Sequence, residues 1–289
     1  MKVRAWLAVC LAASLASCAG SGSTMAASPE EDAKAAVAAA DEGNFQEAIR
    51  LLTHALETPG LPADKKAELT LHRAFAYDEN GEFDQAIADY NKVIAMKPEA
   101  APVYFRRGIA HREKGEYEQA LADFDAAAKP GGPAGVDLTF IYGDRGVVRF
   151  AMGQFDVAAR DFAHVVASDP SDEYAILWLY VSRGRAGAAD QAKFAQDAAK
   201  AQGRDWPKPL VALYLGEQTP KQVLAAAAEG DEEARQFQGC EADFFVGEHD
   251  LLQGRVDAAK ALLRKVVDEC SPSLAVHTGA AGELKRIGE

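Results

Sequence analysis

The chain is 289 residues long, 48% hydrophobic and 26% charged, with a formal net charge of −13 at pH 7. That length accommodates one large domain or two ordinary ones, and the acidic balance excludes a nucleic-acid partner, which needs a basic face. Abundant alanine and few β-branched residues favour helix over strand.

The first segment reads as targeting information rather than fold. Lys2 and Arg4 precede an apolar run from Ala5 to Ala16 that is too short to span a bilayer. The run ends in Leu15-Ala16-Ser17-Cys18, which resembles a bacterial lipobox. The resemblance implies a signal peptide over residues 1–17 and lipid attachment at Cys18. An ordinary signal peptide cut near Ala27 is the alternative. Cys10 is a poorer site, because Val9 before it is too large. Ala19, where an inner-membrane retention signal would carry aspartate, implies the periplasmic face of the outer membrane. Residues 18–30 are mostly Ala, Gly, Ser and Thr and read as a flexible tether. Pro29, followed by two acids, marks a helix start.

Residues 31–170 carry a repeat. Around residues 101–134, Tyr104, Gly108, Gly115, Tyr117, Ala120, Phe124 and Ala127 fall at the spacing of a tetratricopeptide repeat, two antiparallel amphipathic helices in about 34 residues. A second copy has Ala74, Tyr77, Gly81, Phe83, Ala86, Tyr90, Val93 and Pro98, and another has Tyr142, Gly146, Gly153, Phe155, Ala158, Phe162, Val165 and Pro170. A weaker first copy has Gly43, Phe45, Ala48, Leu52 and Ala55. Ala48, Ala86, Ala120 and Ala158 lie 38, 34 and 38 residues apart, the excess being loop insertions such as Lys129–Asp137. Gly108 and Ala120 are small where two helices would press together.

The period blurs over residues 171–239. Glu173–Arg185 is apolar nearly all round and reads as a buried helix. A partner helix is expected over Ala188–Ala201, short helices after Pro209 and Pro220, a final repeat from Cys240 to Ser271, and a closing helix over Ser273–Ile287 that caps it. Residues 240–289 thus hold the last repeat and its cap. The expected fold is all-α, a right-handed tetratricopeptide-repeat superhelix of antiparallel helix pairs, with about a dozen helices and no sheet.

The order of landmarks, Tyr174 with Leu177-Trp178-Leu179-Tyr180, then Trp206-Pro207, then Leu213-Tyr214-Leu215-Gly216-Glu217, then Cys240-Glu241-Ala242-Asp243-Phe244-Phe245, resembles the NlpI-like bacterial lipoproteins over nearly the whole chain. The resemblance implies a homodimeric outer-membrane adaptor that brings peptidoglycan hydrolases together with one another or with a periplasmic protease. A structural assembly factor of an outer-membrane or secretion complex is the alternative.

In such repeats the first helix of each pair lines the concave face. In register, Leu71 and Phe75, then Phe105, Ile109 and Arg112, then Gly143, Val147 and Phe150 form an apolar trough, read here as a groove for a helix or an extended peptide. Packing against the next repeat is the competing account of the same residues. Arg73, Arg107 and Arg145 recur at one position and are expected to pair with nearby acids such as Glu68 or Asp144. Cys240 and Cys270 fall at neighbouring ends of the last hairpin; in an oxidising compartment they form a disulfide, and otherwise they are two buried thiols. The six histidines are dispersed, with no H-E-x-x-H pair, and no G-x-S-x-G, S-x-x-K or P-loop occurs. The expectation is therefore no enzyme, no cofactor and no metal.

Overall fold

The computed structural model describes residues 28–129, 137–201 and 205–288. The expected lipid-attachment residue Cys18, the signal peptide and the Gly131-Gly132-Pro133 insertion lie outside these residues. The described residues form fifteen α-helices and no strand. The chain divides at Pro98/Glu99 into two units.

The first unit holds α1 (Pro29–Asp41), α2 (Phe45–Leu56), α3 (Ala63–Glu79) and α4 (Phe83–Met96). The start of α1 is chemical: Ser28 accepts from the Glu31 backbone N–H while Glu31 accepts from Ser28, and Pro29 occupies the first turn. Two antiparallel pairs result, α1 with α2 and α3 with α4, and α3 stacks on α2.

The second unit opens with α5 (Ala101–Glu113), α6 (Tyr117–Ala127), α7 (Leu138–Ala151) and α8 (Phe155–Ser168). It continues with α9 (Glu173–Arg185), α10 (Gln191–Ala198), α11 (Lys208–Leu215) and α12 (Pro220–Ala226), and ends with α13 (Glu232–Leu252), α14 (Val256–Glu269) and α15 (Ala275–Arg286). The last repeat begins earlier than Cys240, because α13 starts at Glu232, where Asp231 caps it by accepting from the Ala234 N–H. The partner expected over Ala188–Ala201 is the eight-residue α10.

Two chemical devices explain why each pair closes. At the reversal, Gly81 and Gly115 take φ of +77° and +75°, a left-handed conformation in which a side chain would be strained. At the crossing, a Cβ on Gly108 would lie 2.8 Å from the Phe124 ring and one on Gly146 2.9 Å from that of Phe162, so only glycine lets the aromatic of the second helix reach the first. Ala48, Ala86, Ala120 and Ala158 are fully buried at the same seams.

The recurring arginines are paired with acids, as expected, but with other acids than Glu68 and Asp144. Each bonds an aspartate sixteen residues on, in the second helix of its own repeat. Arg73 donates to Asp89 at 2.7 and 3.1 Å, Arg107 to Asp123 at 2.8 and 2.6 Å, and Arg145 to Asp161 at 3.1 and 2.7 Å. The planar guanidinium fork matches a carboxylate two bonds at a time, and the three aspartates are buried. Asp144, expected as a partner of this ladder, instead accepts from Arg112.

The core of the second unit centres on Trp178 of α9, the helix whose apolar residues surround its whole circumference. Its ring stacks on Phe162 at 5.5 Å and meets Phe150, Phe244 and Phe245 at 5.1, 4.9 and 5.7 Å. The closing helix α15 does cover α13 and α14, as a cap should, and it also packs along α7.

Candidate protein-interaction surface

The trough residues separate into two classes. Leu71 and Phe75 on α3, and Phe105 and Ile109 on α5, are partly exposed. Phe75 leans edge-on against Tyr90 at 5.9 Å, and Phe105 is tilted against Phe124 at 5.8 Å, so each ring is anchored by its own repeat while part of it stays exposed. Apolar side chains held this way have little rotamer freedom left to lose.

Arg112, Val147 and Phe150 do not line an open trough. They are 6%, 4% and 0% exposed. Arg112 donates to Asp144 at 2.7 Å and to the Ser273 carbonyl at 3.2 Å, tying α5 to the turn before α15. Phe150 is enclosed by Phe155, Trp178 and Phe244. What covers this end of α7 is α15. A Cβ on Gly282 would overlap the Ala151 backbone, so the helices touch main chain to main chain. Arg286 donates to the Ala151 carbonyl at 2.9 Å and to that of Phe150 at 3.3 Å, satisfying the last carbonyls of α7.

A buried charge cluster secures that contact. Glu283 of α15 pairs with Arg185 of α9 at 2.7 Å and with Arg286. The two guanidinium groups flank the Phe155 ring at 5.2 and 4.7 Å. Glu248 of α13 is fully buried beside them, 3.9 Å from Arg185, and neither of its carboxylate oxygens has a hydrogen-bond partner. Burial, and then the neighbouring Glu283 charge, hold the Glu248 carboxyl well above the usual range. Nearby, Glu241 accepts from the Tyr174 hydroxyl at 2.8 Å and from the Trp206 indole at 2.7 Å. Its carboxyl is pushed up to about 7 by burial, with the two donors opposing.

One exposed feature lies outside the residues that the repeat register singles out. Phe140 is 58% exposed and Leu138 48%, both in the first turn of α7. Phe140 lies three residues before Gly143, on the same helix face. Cys240 and Cys270 have Cα atoms 6.0 Å apart and their sulfurs at bonding distance. Among the described residues, no three His, Cys, Asp or Glu side chains gather where they could hold a metal ion, and no helix is long and apolar enough to cross a membrane.

The tetratricopeptide-repeat family profile matches residues 71–134. The chain is 24% identical over 249 residues to the lipoprotein NlpI homolog of Haemophilus influenzae, covering 84% of this chain and 78% of that one. Among solved structures, a tetratricopeptide repeat protein from Parabacteroides merdae superposes with a TM-score of 0.58 at 15% identity, over 88% of this chain and 98% of that one. MamA gives 0.52 at 21% identity, over 60% and 90%. PilW, described as a type IV pilus biogenesis factor, gives 0.50 at 17% identity, over 83% and 92%. These likenesses establish the fold: an all-α tetratricopeptide-repeat chain that resembles the NlpI lipoproteins.

Proposed function

We propose that this tetratricopeptide-repeat protein is a lipid-anchored adaptor on the periplasmic face of the outer membrane, gathering cell-wall hydrolases or their periplasmic protease. The observation that carries the reading is the set of anchored, half-open apolar side chains on the first helices of successive repeats, Leu71 and Phe75 in one unit and Phe105 and Ile109 in the other. Side chains of this kind commonly mark protein contacts. The lipobox-like segment at Cys18 and the likeness to the Haemophilus influenzae lipoprotein support the anchor and the envelope setting.

The test is a crosslinked pull-down from solubilised envelopes, read by mass spectrometry, with two variants, Leu71→Ser/Phe75→Ser and Phe105→Ser/Ile109→Ser. Hydrolases or a periplasmic protease enriched by the native chain and lost from at least one variant is the expected result. Barrel or secretion components alone, unaffected by either variant, would replace the adaptor with an assembly factor.

In that oxidising compartment Cys240 and Cys270 are paired as a disulfide. Closing a loop of about 30 residues contributes roughly 3–4 kcal/mol on the chain-entropy model. Cys270→Ser is expected to lower the urea midpoint of the second unit by a corresponding amount, and a non-reducing peptide map should recover the two cysteines in one linked fragment. Free thiols at both positions in protein purified from the envelope would refute the pairing.

A further inference from the structure

The helix that closes the inner face of the fourth repeat is held over a carboxyl group with nowhere to bond. Glu248 of α13 is fully buried, and neither of its carboxylate oxygens has a hydrogen-bond partner. Both nearby guanidinium groups are directed at Glu283 of α15 instead, Arg185 from α9 at 2.7 Å and Arg286 from three residues on. Arg185 stands 3.9 Å from Glu248, beyond hydrogen-bonding distance. Two arginines thus balance two glutamates in formal charge but not in hydrogen bonds.

The other polar groups around α13 are engaged elsewhere. On α11 the Tyr214 hydroxyl donates to the Phe245 carbonyl at 2.7 Å. On α14, Lys265 bonds Asp243 at 2.6 Å. Next to Glu248 on its own helix, His249 and Asp250 face Arg255. An ionised Glu248 would therefore hold its charge away from water, with the Glu283 carboxylate as a like-charged neighbour across the contact between α13 and α15. The neutral carboxyl fits without the cost of a buried charge. Moving α15 away removes Glu283 and lets water reach the carboxylate, so this is the motion that an ionised Glu248 favours.

We propose that Glu248 is a proton-controlled latch on α15: protonated, it lets the closing helix sit along α7, and on losing the proton it drives α15 to lift and uncover Val147 and Phe150. The uncovered residues lengthen the apolar inner face offered to a partner, a consequence that rests on the adaptor reading, whereas the release itself does not. The sign follows from linkage. The seated carboxyl is held well above its ordinary value by burial, while in the lifted state it returns towards about 4.5. Below about 4.5 both states carry the proton and α15 is seated most firmly. As pH rises the lifted state releases its proton first, and opening grows until the seated carboxyl ionises as well. His277 of α15 acts in the opposite sense: burial lowers its pKa, so acid protonates the lifted state first and favours release at low pH.

The test is hydrogen exchange of backbone amides in the full chain at pH 6 and pH 8, expressed as protection factors so that the intrinsic exchange rate is divided out. Glu248→Gln keeps the shape of the side chain and removes its titration, while His277 contributes equally to both chains. Between the two pH values the amides of Ala280–Arg286 are expected to lose about tenfold more protection in the native chain than in the variant, the factor that one pKa unit carries. Amides of α9 should keep theirs. Glu241→Gln is the second variant, because Glu241 bonds Tyr174 and Trp206 rather than a residue of α15. It should leave the response of α15 as in the native chain. An equal loss in the native and Glu248→Gln chains, a loss shared by every helix of the unit, or a response abolished by Glu241→Gln would overturn the latch. No partner is present in this experiment, so its result is independent of the envelope pull-down.

Discussion

Phe150→Ala is expected to destabilise the 99–289 unit by about 3–5 kcal/mol. The ring is fully buried, is in contact with three aromatic neighbours, and lies beneath a helix whose backbone already touches that of α7. Neighbouring atoms cannot collapse into the space, because Trp178 is still held by three other rings, Phe162, Phe244 and Phe245, and α15 by main-chain contact. Truncation therefore loses both the transfer energy and the cavity energy. Trp178 and Trp206 both lie in this unit, so a urea titration followed by tryptophan fluorescence reports its unfolding. Phe75→Ala, at a half-open position, serves as the comparison and should cost much less. A loss below about 1 kcal/mol for Phe150→Ala would mean that α15 is not seated as described. The same reasoning bars Phe150 from any binding assay, since its variants would report unfolding.

Arg185→Met is expected to cost a comparable amount, about 3–5 kcal/mol, because it leaves Glu283 with one cation instead of two and takes away one of the two guanidinium groups, Arg185 and Arg286, that act on Glu248. Glu248→Gln should behave in the opposite sense. The carboxyl of Glu248 is favoured in its neutral form in the folded state, so its folded pKa stands above its unfolded one. Below the unfolded value of about 4.5 it imposes no penalty. As pH rises beyond that, the unfolded chain releases the proton while the folded chain keeps it, and stability falls until the raised folded pKa is passed. Glu241, pushed up to about 7, adds to the same slope between about 4.5 and 7. Replacing Glu248 by glutamine, neutral at every pH and nearly the same shape, is therefore expected to raise stability at pH 8 relative to pH 5 compared with the native chain. Urea midpoints measured across that range check it. An unchanged pH dependence in Glu248→Gln would show that the residue is ionised in the fold with a partner the geometry does not provide.

The two outcomes share a cause. The inner face of the fourth repeat, a surface open to ligands in an isolated repeat, is used here to seat the chain's own last helix. The open apolar positions are consequently Phe105 and Ile109 on α5 and Phe140 at the start of α7, with Leu71 and Phe75 in the other unit. A register argument that treats every repeat alike therefore places three buried residues, Arg112, Val147 and Phe150, on an open face.

What the amino-acid sequence determined is local. The glycines at each reversal, the small residues at each crossing, the aromatic that fills it, and the prolines that open helices at Pro29 and Pro220 lie within a few turns of what they act on, so spacing alone reveals them. The arginine ladder was visible as a recurrence, but its partners were not. The aspartates sixteen residues on face the arginines only once the two helices of a repeat are folded back on each other at a defined rotation. Tertiary structure alone decided the fate of Arg112, Val147 and Phe150. The groups that bury them, Ser273, Gly282 and Arg286, are up to 161 residues distant in the chain and carry no periodic mark that points back to α7. Helix-scale order follows from contacts that recur every three or four residues, whereas the choice of which face is left open depends on one long-range return of the chain, which has no repeat to announce it.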